Sequence, residues 1–319
     1  MIMINLFLTF FSPPMSQDAQ HTENYSNEKK KEHEEYQYLN LIRKCIEEGE
    51  FQADRTSTGT KSLFGSQMRF SLKNNTLPLF TTKKVFYRGV LEELLFFING
   101  KTDNKILREK NIKIWNGHST AEYFEKIGIN READDLGPVY GFQWRHFNAP
   151  YTTCNDDYTG KGIDQLKDVI ERIKTNPECR RLLVTAWNPL QIKQMALPPC
   201  HSFFQFKVYG NKLSCILYQR SADMGLGVPF NVASYSLLTI IVAKLTGLEP
   251  SEFIHFMGDT HVYMDHIDAL KTQLERKPFE FPKLVLKEKE YKNLEDFEFD
   301  DFILSDYQCH GTIKMNMSV

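Results

Sequence analysis

The segment Phe230–Leu245 constrains the fold of this chain more than any other. It is apolar on nearly all sides of a helix, and a helix of that kind has to be buried on every side. The rest of the chain must therefore pack around it from several directions. With 319 residues, of which 41% are apolar and 25% charged, the chain is large enough to do so as a soluble globular protein.

Apolar periodicity predicts the other elements. Helical spacing predicts helices around Tyr38–Cys45, Val85–Ile98 and Ile163–Ile173. The predicted strands are Leu182–Trp187, Phe203–Tyr209, Leu213–Gln219, Phe253–Phe256 and Phe281–Leu286. The tetrapeptide Tyr209–Lys212 is typical of a hairpin turn, which argues against a purely parallel sheet. We therefore predict an α+β fold.

The first 35 residues differ in composition from the rest. Met1–Phe11 is apolar but only about half as long as a membrane span requires, and it lacks the basic residue and cleavage site of a signal peptide. Ser16–Glu35 contains almost no large apolar side chain, so it cannot bury enough surface to become ordered. We expect residues 1–35 to form a disordered leader, with Met15 as an alternative start, and residues 36–319 to form one domain.

Charge and cysteine content exclude several classes of protein. Lys and Arg total 39 against 41 Asp and Glu, a net charge of −2, so a general nucleic-acid coat protein is not expected. The six cysteines include no CxxC pair, which gives a zinc site no support and indicates reduced, intracellular thiols. We expect no metal and no membrane association. The expected location is the cytoplasm, with a nuclear or mitochondrial fraction left open.

One cysteine has an unusual setting. Cys200 follows two prolines in Leu197–His201 (LPPCH), and these prolines restrict the backbone just before the thiol. A working thiol nucleophile needs positive charge nearby, because a free thiol is only slightly ionised at neutral pH. His201 is a poor base for it, since neighbours on an extended chain point to opposite faces. A buried structural cysteine is the alternative.

Four arginines could supply that charge. Arg55, Arg180, Arg181 and Arg220 lie in short polar contexts, and guanidinium groups suit bidentate binding of phosphate. Each of them alone could equally be a solvated surface residue. Their convergence on Cys200 is a matter of fold, which sequence spacing does not reveal.

Three further features offer binding or proton-transfer groups. His261 and Tyr263 would share one face of a strand and could hold a sugar hydroxyl. The side chains of Glu92 and Glu93 diverge by about 100° on a helix, so one could face the interior with a raised pKa. Asn231 could either cap a helix or read the edge of a base. The preceding Gly-Leu-Gly lacks the third glycine of a dinucleotide fingerprint.

Five longer motifs, taken in order, resemble the thymidylate synthase family. They are LGPVYGFQWRHF at 136–147, MALPPCH at 195–201, YQRSADMGLGVPFN at 218–231, FIHFMGDTHVY at 253–263 and IKMNMSV at 313–319. The resemblance runs from about Tyr38 to Val319. It implies a mixed sheet packed with helices, with one sheet face used for dimerisation.

The resemblance also implies an activity. A member of this family methylates deoxyuridylate (dUMP) to thymidylate (dTMP) and releases dihydrofolate. Methylenetetrahydrofolate, the co-substrate, donates both the one-carbon unit and the hydride, so no nicotinamide cofactor is needed. Cys200 would attack C6 of the uracil ring, and Glu92 would relay protons.

Matching positions then receive roles by resemblance. The catalytic residues would be Cys200, Glu92, Tyr140, His201, Asp223 and Asn231. The dUMP-binding residues would be Arg55, Arg180, Arg181, Gln219, Arg220, Ser221, Ala222, Asp223, Asn231, His261, Val262 and Tyr263. The folate-binding residues would be Phe86, Ile114, Trp115, Asp223, Leu226, Gly227, Phe230 and Ser318. Arg180 and Arg181 would reach in from the second subunit of an obligate homodimer.

Departures from the family's pattern lie mainly on the folate side. Ser57 stands where glycine is expected, Asn116-Gly117-His118 where Asp-Ala-Asn is usual, and Ser318 where alanine is usual. Two alternatives therefore stay open. One is a hydroxymethylase acting on dUMP or dCMP, against which Asn231 argues because a cytosine reader would prefer an acidic acceptor. The other is a silent protein that binds nucleotide, or RNA by family analogy only.

Overall fold

The long apolar segment forms the central helix of the protein. The computed structural model describes residues 32–53 and 58–317, so the predicted leader up to residue 31 lies outside the described residues. The helices are α1 (Tyr36–Glu48), α2 (Tyr87–Ile98), α3 (Lys105–Glu109), α4 (Ala121–Lys126), α5 (Tyr140–His146), α6 (Gln165–Thr175), α7 (Gly227–Thr246) and α8 (Ile267–Leu274). The strands are β1 (Glu50–Gln52), β2 (Thr60–Ser71), β3 (Leu183–Thr185), β4 (His201–Tyr209), β5 (Lys212–Asp223), β6 (Glu249–Tyr263), β7 (Lys283–Leu286) and β8 (Phe302–Ser305).

Helix α7 is buried on all sides, as its composition predicts. Two of its buried hydroxyls are satisfied within the helix, because Ser236 and Thr239 donate to the carbonyls four residues earlier at 2.7 Å each. The helix ends at Gly247, which takes the left-handed conformation (φ +69°) that favours glycine. It is long and apolar enough to cross a membrane, but nearly all of it is covered by the rest of the protein. Burial of this kind is that of a core helix.

A mixed six-stranded sheet packs against α7. The strand order is β1-β2-β6-β5-β4-β3, and β5 and β6 are parallel while the neighbouring pairs are antiparallel. Helix α7 supplies the crossover that a parallel pair requires. Tyr209 pairs with Lys212 across the β4–β5 turn, which confirms the predicted hairpin. The predicted α+β class is confirmed as well.

The two faces of the sheet have different neighbours. Phe206, Leu217 and Phe253 are fully buried on the face that meets α7. The opposite face carries partly exposed rings, among them Phe256 at 39% exposure and the stacked pair Phe203 and Tyr218, whose centroids are 5.4 Å apart. This uncovered face, which also carries Gln205 and Lys207 of β4, is not sealed by any described part of the chain.

The prediction of the strands was incomplete. Strand β2 was not predicted, because polar residues and Gly65 interrupt its apolar pattern. It pairs with β6 along most of its length, from Thr60 opposite Tyr263 to Ser71 opposite Glu252. Strand β6 is also much longer than the predicted Phe253–Phe256.

Candidate active site

Cys200 immediately precedes β4 and follows the two prolines. It is half-buried in a cleft. Its backbone N–H donates to the Tyr140 hydroxyl at 2.9 Å. The strand register shifts just after it, between His201 and Phe203, and such an irregularity re-aims the side chains beside a site. The position of the thiol is therefore set by its loop, by the hydrogen bond to Tyr140 of α5 and by the irregularity at the start of β4.

Arg220, on the neighbouring strand β5, clamps this loop. Its Nε donates to the Pro199 carbonyl at 2.8 Å and its Nη2 to the Pro198 carbonyl at 2.9 Å. The same Nη2 lies 3.7 Å from Cys200 Sγ. A guanidinium at this distance supplies the positive charge that a thiolate nucleophile needs.

Arg180 and Arg181 do not join Arg220 within one chain. Arg180 and Arg181 are exposed just before β3, and the next carbonyl, that of Leu182, accepts from the N–H of Phe206. Phe206 is six residues along β4 from Cys200, which corresponds to roughly 20 Å of extended strand. An arginine side chain cannot cover that distance. Arg55 lies outside the described residues, as do Ser57 and Ser318.

The two glutamates of α2 face different surroundings, and the choice of Glu92 as the site carboxylate is contradicted. Glu92 pairs with Lys110 at 2.6 Å and lines a separate surface pocket with Arg88 and Phe299. Glu93 accepts a hydrogen bond from Trp115 Nε1 at 2.8 Å. Burial raises the pKa of Glu93 to about 7. The 100° turn between neighbours thus directs Glu93, not Glu92, into the cleft.

Glu93 is close enough to the other cleft residues to affect their ionisation. The pKa of Tyr140 lies well above its usual value, first because of burial and then because of the negative charges of Cys200 and Glu93. Burial lowers the pKa of His201 to about 4, so this imidazole is neutral at physiological pH. Its ring lies 5.1 Å from that of Tyr140 and 5.3 Å from that of Tyr235. The cleft therefore holds a neutral His and Tyr beside a carboxyl group that titrates near neutrality.

Asn231 is poised to bind a ligand rather than to cap α7. Asp223 performs the capping, because its carboxylate accepts from the backbone N–H groups of Gly225, Leu226 and Gly227 at 2.8, 3.2 and 3.3 Å. Asn231 Oδ1 is buried and has no well-aligned hydrogen-bond partner among the described residues. The neighbouring His201 ring interacts with the Asn231 side chain, which raises the pKa of that imidazole against the larger effect of burial. A buried acceptor left open in this way is costly unless a ligand satisfies it.

Gln219 belongs to the same network at one remove. It is almost fully buried, donates from Nε2 to the Ser221 carbonyl at 2.9 Å and meets His255 Nε2 at 2.8 Å through Oε1. Burial lowers the pKa of His255 to about 3, so His255 is also neutral. Sequence reasoning did not select His255; its place in the motif FIHFMGDTHVY was the only available signal.

Strand β6 brings His261 and Tyr263 together beside the end of β5. Their rings meet edge to face at 5.2 Å, and Asp259 Oδ1 lies 3.0 Å from His261 Nδ1. His261 is the strand partner of Asp223. Ala222 and Val262 lie between these residues with no exposed side chain, so only their backbone could face a ligand.

The described residues predicted to bind folate lie at two places in the fold, around Gly89 of α2 and at the start of α7. Trp115 is buried, Phe86 is 47% exposed, and the Phe86 ring covers Gly89, where an added Cβ would lie only 2.5 Å from it. Ile114 is in reach of the same glycine. The remaining members, half-buried around the start of α7, are Leu226, Gly227 and Phe230.

Two residues near the start of α7 were not selected as site residues from the sequence. Lys83 is buried and its Nζ donates to the Gly225 carbonyl at 2.5 Å. Burial lowers the pKa of Lys83 to about 8. Near the chain end, Met315 Sδ lies within 3.1 Å of the Cβ position of Gly225.

The segment Asn116-Gly117-His118, which departs from the family's pattern, makes contacts with the rest of the protein. Asn116 Oδ1 accepts from Asn104 Nδ2 at 3.4 Å, and His118 packs edge-on against Tyr123 at 5.1 Å. In the described ranges 32–53 and 58–317, no cluster of three or more His, Cys, Asp or Glu side chains could hold a metal ion.

Known proteins resemble this chain over nearly its whole length. A sequence model of the thymidylate synthase family matches residues 36–319. Thymidylate synthase 1/2 of Encephalitozoon cuniculi is 56% identical over 90% of this chain and 98% of its own length. Thymidylate synthase of Saccharomyces cerevisiae is 57% identical over 91% and 98% respectively. A bifunctional dihydrofolate reductase-thymidylate synthase of Leishmania major is 57% identical over 90% of this chain and 56% of its own length.

Proposed function

This chain belongs to the thymidylate synthase family, and from that premise we propose that it converts dUMP to dTMP with methylenetetrahydrofolate as co-substrate. The observation that carries the proposal is Cys200 Sγ, 3.7 Å from the Arg220 guanidinium in a cleft with an open acceptor on Asn231. A thiol nucleophile and a reader of a pyrimidine edge are what this reaction requires of the protein. The nicotinamide-free chemistry follows from the co-substrate, which itself provides the hydride.

Cys200 starts the reaction by covalent activation. Its thiolate adds to C6 of the uracil ring, and the electron pair of the C5–C6 double bond moves onto C5 and O4 as an enolate. The nucleophilic C5 then takes the one-carbon unit. After C5 loses its proton, the tetrahydrofolate leaves the methylene carbon but stays bound beside it. It then transfers a hydride to the exocyclic methylene and becomes dihydrofolate, while the electron pair pushed into the ring re-forms the C5–C6 double bond and expels the Cys200 thiolate. Covalent catalysis of this kind divides one difficult alkylation into easier steps.

Glu93 is the residue we assign to proton handling near O4. A carboxyl group with a pKa near the working pH can both give and take a proton. Trp115 fixes its orientation through the hydrogen bond to Oε1. The charge of Glu93 also raises the pKa of Tyr140, whose hydroxyl accepts from the Cys200 N–H. The role given to Glu92 by resemblance thus passes to its neighbour.

Asn231 favours uracil over cytosine. Its open Oδ1 can accept a hydrogen bond from uracil N3–H, and its Nδ2 can donate to O4. Cytosine has no hydrogen on N3 and an amino group at C4, so it would leave both groups of Asn231 mismatched. A site that leaves buried polar groups unpaired rejects the wrong ligand strongly.

We propose that the uncovered sheet face forms a homodimer. Phe203, Tyr218 and Phe256 would be sealed by the same face of a second copy, as a two-fold interface requires. Phe64, which is 88% exposed on β2, lies beside this face. Arg180 and Arg181 cannot reach Cys200 of their own chain, and the second subunit gives them a site to complete.

We place the protein in the cytoplasm because all six cysteines are free.

The activity is tested by following dihydrofolate absorbance after mixing the protein with dUMP and methylenetetrahydrofolate. We expect formation that requires both substrates and disappears in Cys200→Ser. Consumption of dUMP without dihydrofolate would instead identify a hydroxymethylase. Nucleotide binding with no turnover in wild type and in Cys200→Ser alike would identify a silent binding protein.

The shared site is tested by mixing two inactive variants. One carries Cys200→Ser, and the other carries Arg180→Ala with Arg181→Ala. If the arginines act across the interface, half of the random dimers regain one complete site, so about a quarter of wild-type activity returns. Activity that stays at the level of the separate variants after subunit exchange would show that the arginines do not act in trans.

A further inference from the structure

The turn at Thr81 and Thr82 is bound to an unusual partner. The Glu35 carboxylate, which is completely buried, accepts four hydrogen bonds from this turn. Thr81 donates through N–H at 2.8 Å and Oγ1–H at 2.7 Å to Oε2, and Thr82 donates through N–H at 2.8 Å and Oγ1–H at 2.6 Å to Oε1. A carboxylate accepts only, and it can satisfy both pairs of donors at once.

The chain end is attached to the same turn. The His310 N–H donates to the Thr81 carbonyl at 2.8 Å. Arg276 donates from Nη1 to the carbonyls of both Thr82 and Gly311 at 2.8 Å each. The C-terminal tail, residues 306–317, is therefore attached at His310 and Gly311 to the backbone that Glu35 holds, while the Asn316 carbonyl further along meets His266 Nε2 at 2.7 Å.

The residue that follows this turn contacts Gly225, just before α7. Lys83, the next residue, binds the Gly225 carbonyl, and the Gly225 N–H binds Asp223. Met315 of the C-terminal tail lies against Gly225. A displacement of the turn would therefore move both Lys83 and the tail relative to Asp223.

The nucleotide side of the cleft is held by other contacts. Cys200 and Arg220 are fixed by Tyr140 and by the proline carbonyls of their own loop, and Gln219 is fixed by His255. No described hydrogen bond joins Glu35 to these residues. Loss of the Glu35 contacts should therefore affect one side of the cleft and spare the other.

We infer that Glu35 is a positioning residue for folate binding: through the Thr81–Thr82 turn it sets Lys83 and the C-terminal tail against the start of α7. The inference rests on the proposed function, because it takes that end of the cleft as the folate site. Glu35 is completely buried and its carboxylate is occupied by Thr81 and Thr82, so we assign it no contact with either substrate. It acts by fixing the positions of Lys83 and the C-terminal tail.

The test compares Glu35→Gln with the wild type in the dihydrofolate assay. Gln keeps the shape but turns an NH₂ group toward one donor pair, so the backbone N–H of that pair loses its acceptor and the threonine hydroxyl has to change from donor to acceptor. We expect the KM for methylenetetrahydrofolate to rise at least fivefold, with kcat lowered, and the Kd for dUMP, measured by calorimetry, to change less than twofold. Glu34→Gln is the matched control, because Glu34 binds the Ser71 N–H at the end of β2 instead.

Thr82→Val provides an independent variant in case Glu35→Gln does not fold. It removes one hydroxyl donor from the same cluster, and we expect a smaller rise in the same KM. The two effects should be non-additive in the double variant. Equal changes in the KM for folate and the Kd for dUMP, or a lower thermal midpoint with unchanged kinetics, would overturn the inference. An inactive wild type would refute the proposed function instead.

Discussion

Replacing Glu93 should make the protein more stable and far less active. In the native state the carboxyl group has a pKa of about 7 against an ordinary 4.5, because burial disfavours its charge. Each pKa unit is worth 1.36 kcal/mol, so the buried charge costs up to about 3 kcal/mol above pH 7. Glu93→Gln removes that cost and keeps an acceptor for Trp115. It also removes the proton-transfer group, for which a loss of roughly 10²- to 10⁴-fold in kcat is expected.

The pH dependence of stability gives this prediction its sign. A raised native pKa means that the native state binds more protons than the unfolded state between pH 4.5 and 7. The stabilising contribution of Glu93 is therefore complete below pH 4.5 and is lost as the pH rises through 7. The advantage of Glu93→Gln over the wild type should be larger at pH 8 than at pH 5. Urea unfolding at both pH values, at one protein concentration, measures it.

Glu92→Gln is the matched control on the same helix. Glu92 is itself buried while its partner Lys110 is about half exposed, so the substitution should lower stability rather than raise it, and kcat should stay within twofold of the wild type. The reasoning is refuted if Glu92→Gln abolishes turnover while Glu93→Gln keeps it. It is also refuted if Glu93→Gln is less stable than the wild type at pH 8.

Three further predictions follow from the cleft. Arg220→Lys keeps the charge but cannot bind both proline carbonyls, so kcat should fall by about tenfold or more while the protein stays folded, as checked by dihydrofolate formation and circular dichroism. Asn231→Asp presents acceptors only, so the preference measured by competition between dUMP and dCMP should move toward dCMP. His201 and His255, with native pKa values of about 4 and 3, must be protonated on unfolding in acid. Each should therefore cost about 1 kcal/mol of unfolding free energy between pH 6 and pH 5, and a flat urea midpoint over that range would contradict it.

The sequence was most informative where one pattern had one structural outcome. An apolar run as long as α7 has to be covered on all sides, and Tyr209–Lys212 can hardly be anything but a turn between strands. Strand β2 was missed because its exposed residues, such as Gln67 and Arg69, belong to a long paired strand whose partner is far away in sequence. Long-range pairing of this kind leaves little trace in local composition.

The site shows the same division. The Cys200 motif identified the nucleophile, but the clamp by Arg220 depends on the pairing of β4 with β5. The choice between Glu92 and Glu93 depends on which way α2 is rotated, and an apolar helix that is buried on several sides does not reveal its rotation. Lys83 offered no signal, because its role depends on the carbonyl of Gly225, and a backbone acceptor is present at every residue.

The pairing of β2 with β6 also determines how this protein can be made. Thr60 meets Tyr263 across that pair, so the ribosome must add about 200 residues before the partner of β2 exists. At usual rates of translation this takes roughly 10 to 40 s. During that time the edge of β2 that will pair with β6 has no partner. The apolar side chains that will later pack against α7 are also not yet covered. The yield of folded protein in a cell should therefore depend on the supply of chaperones that shield apolar segments more than on the stability of the finished fold.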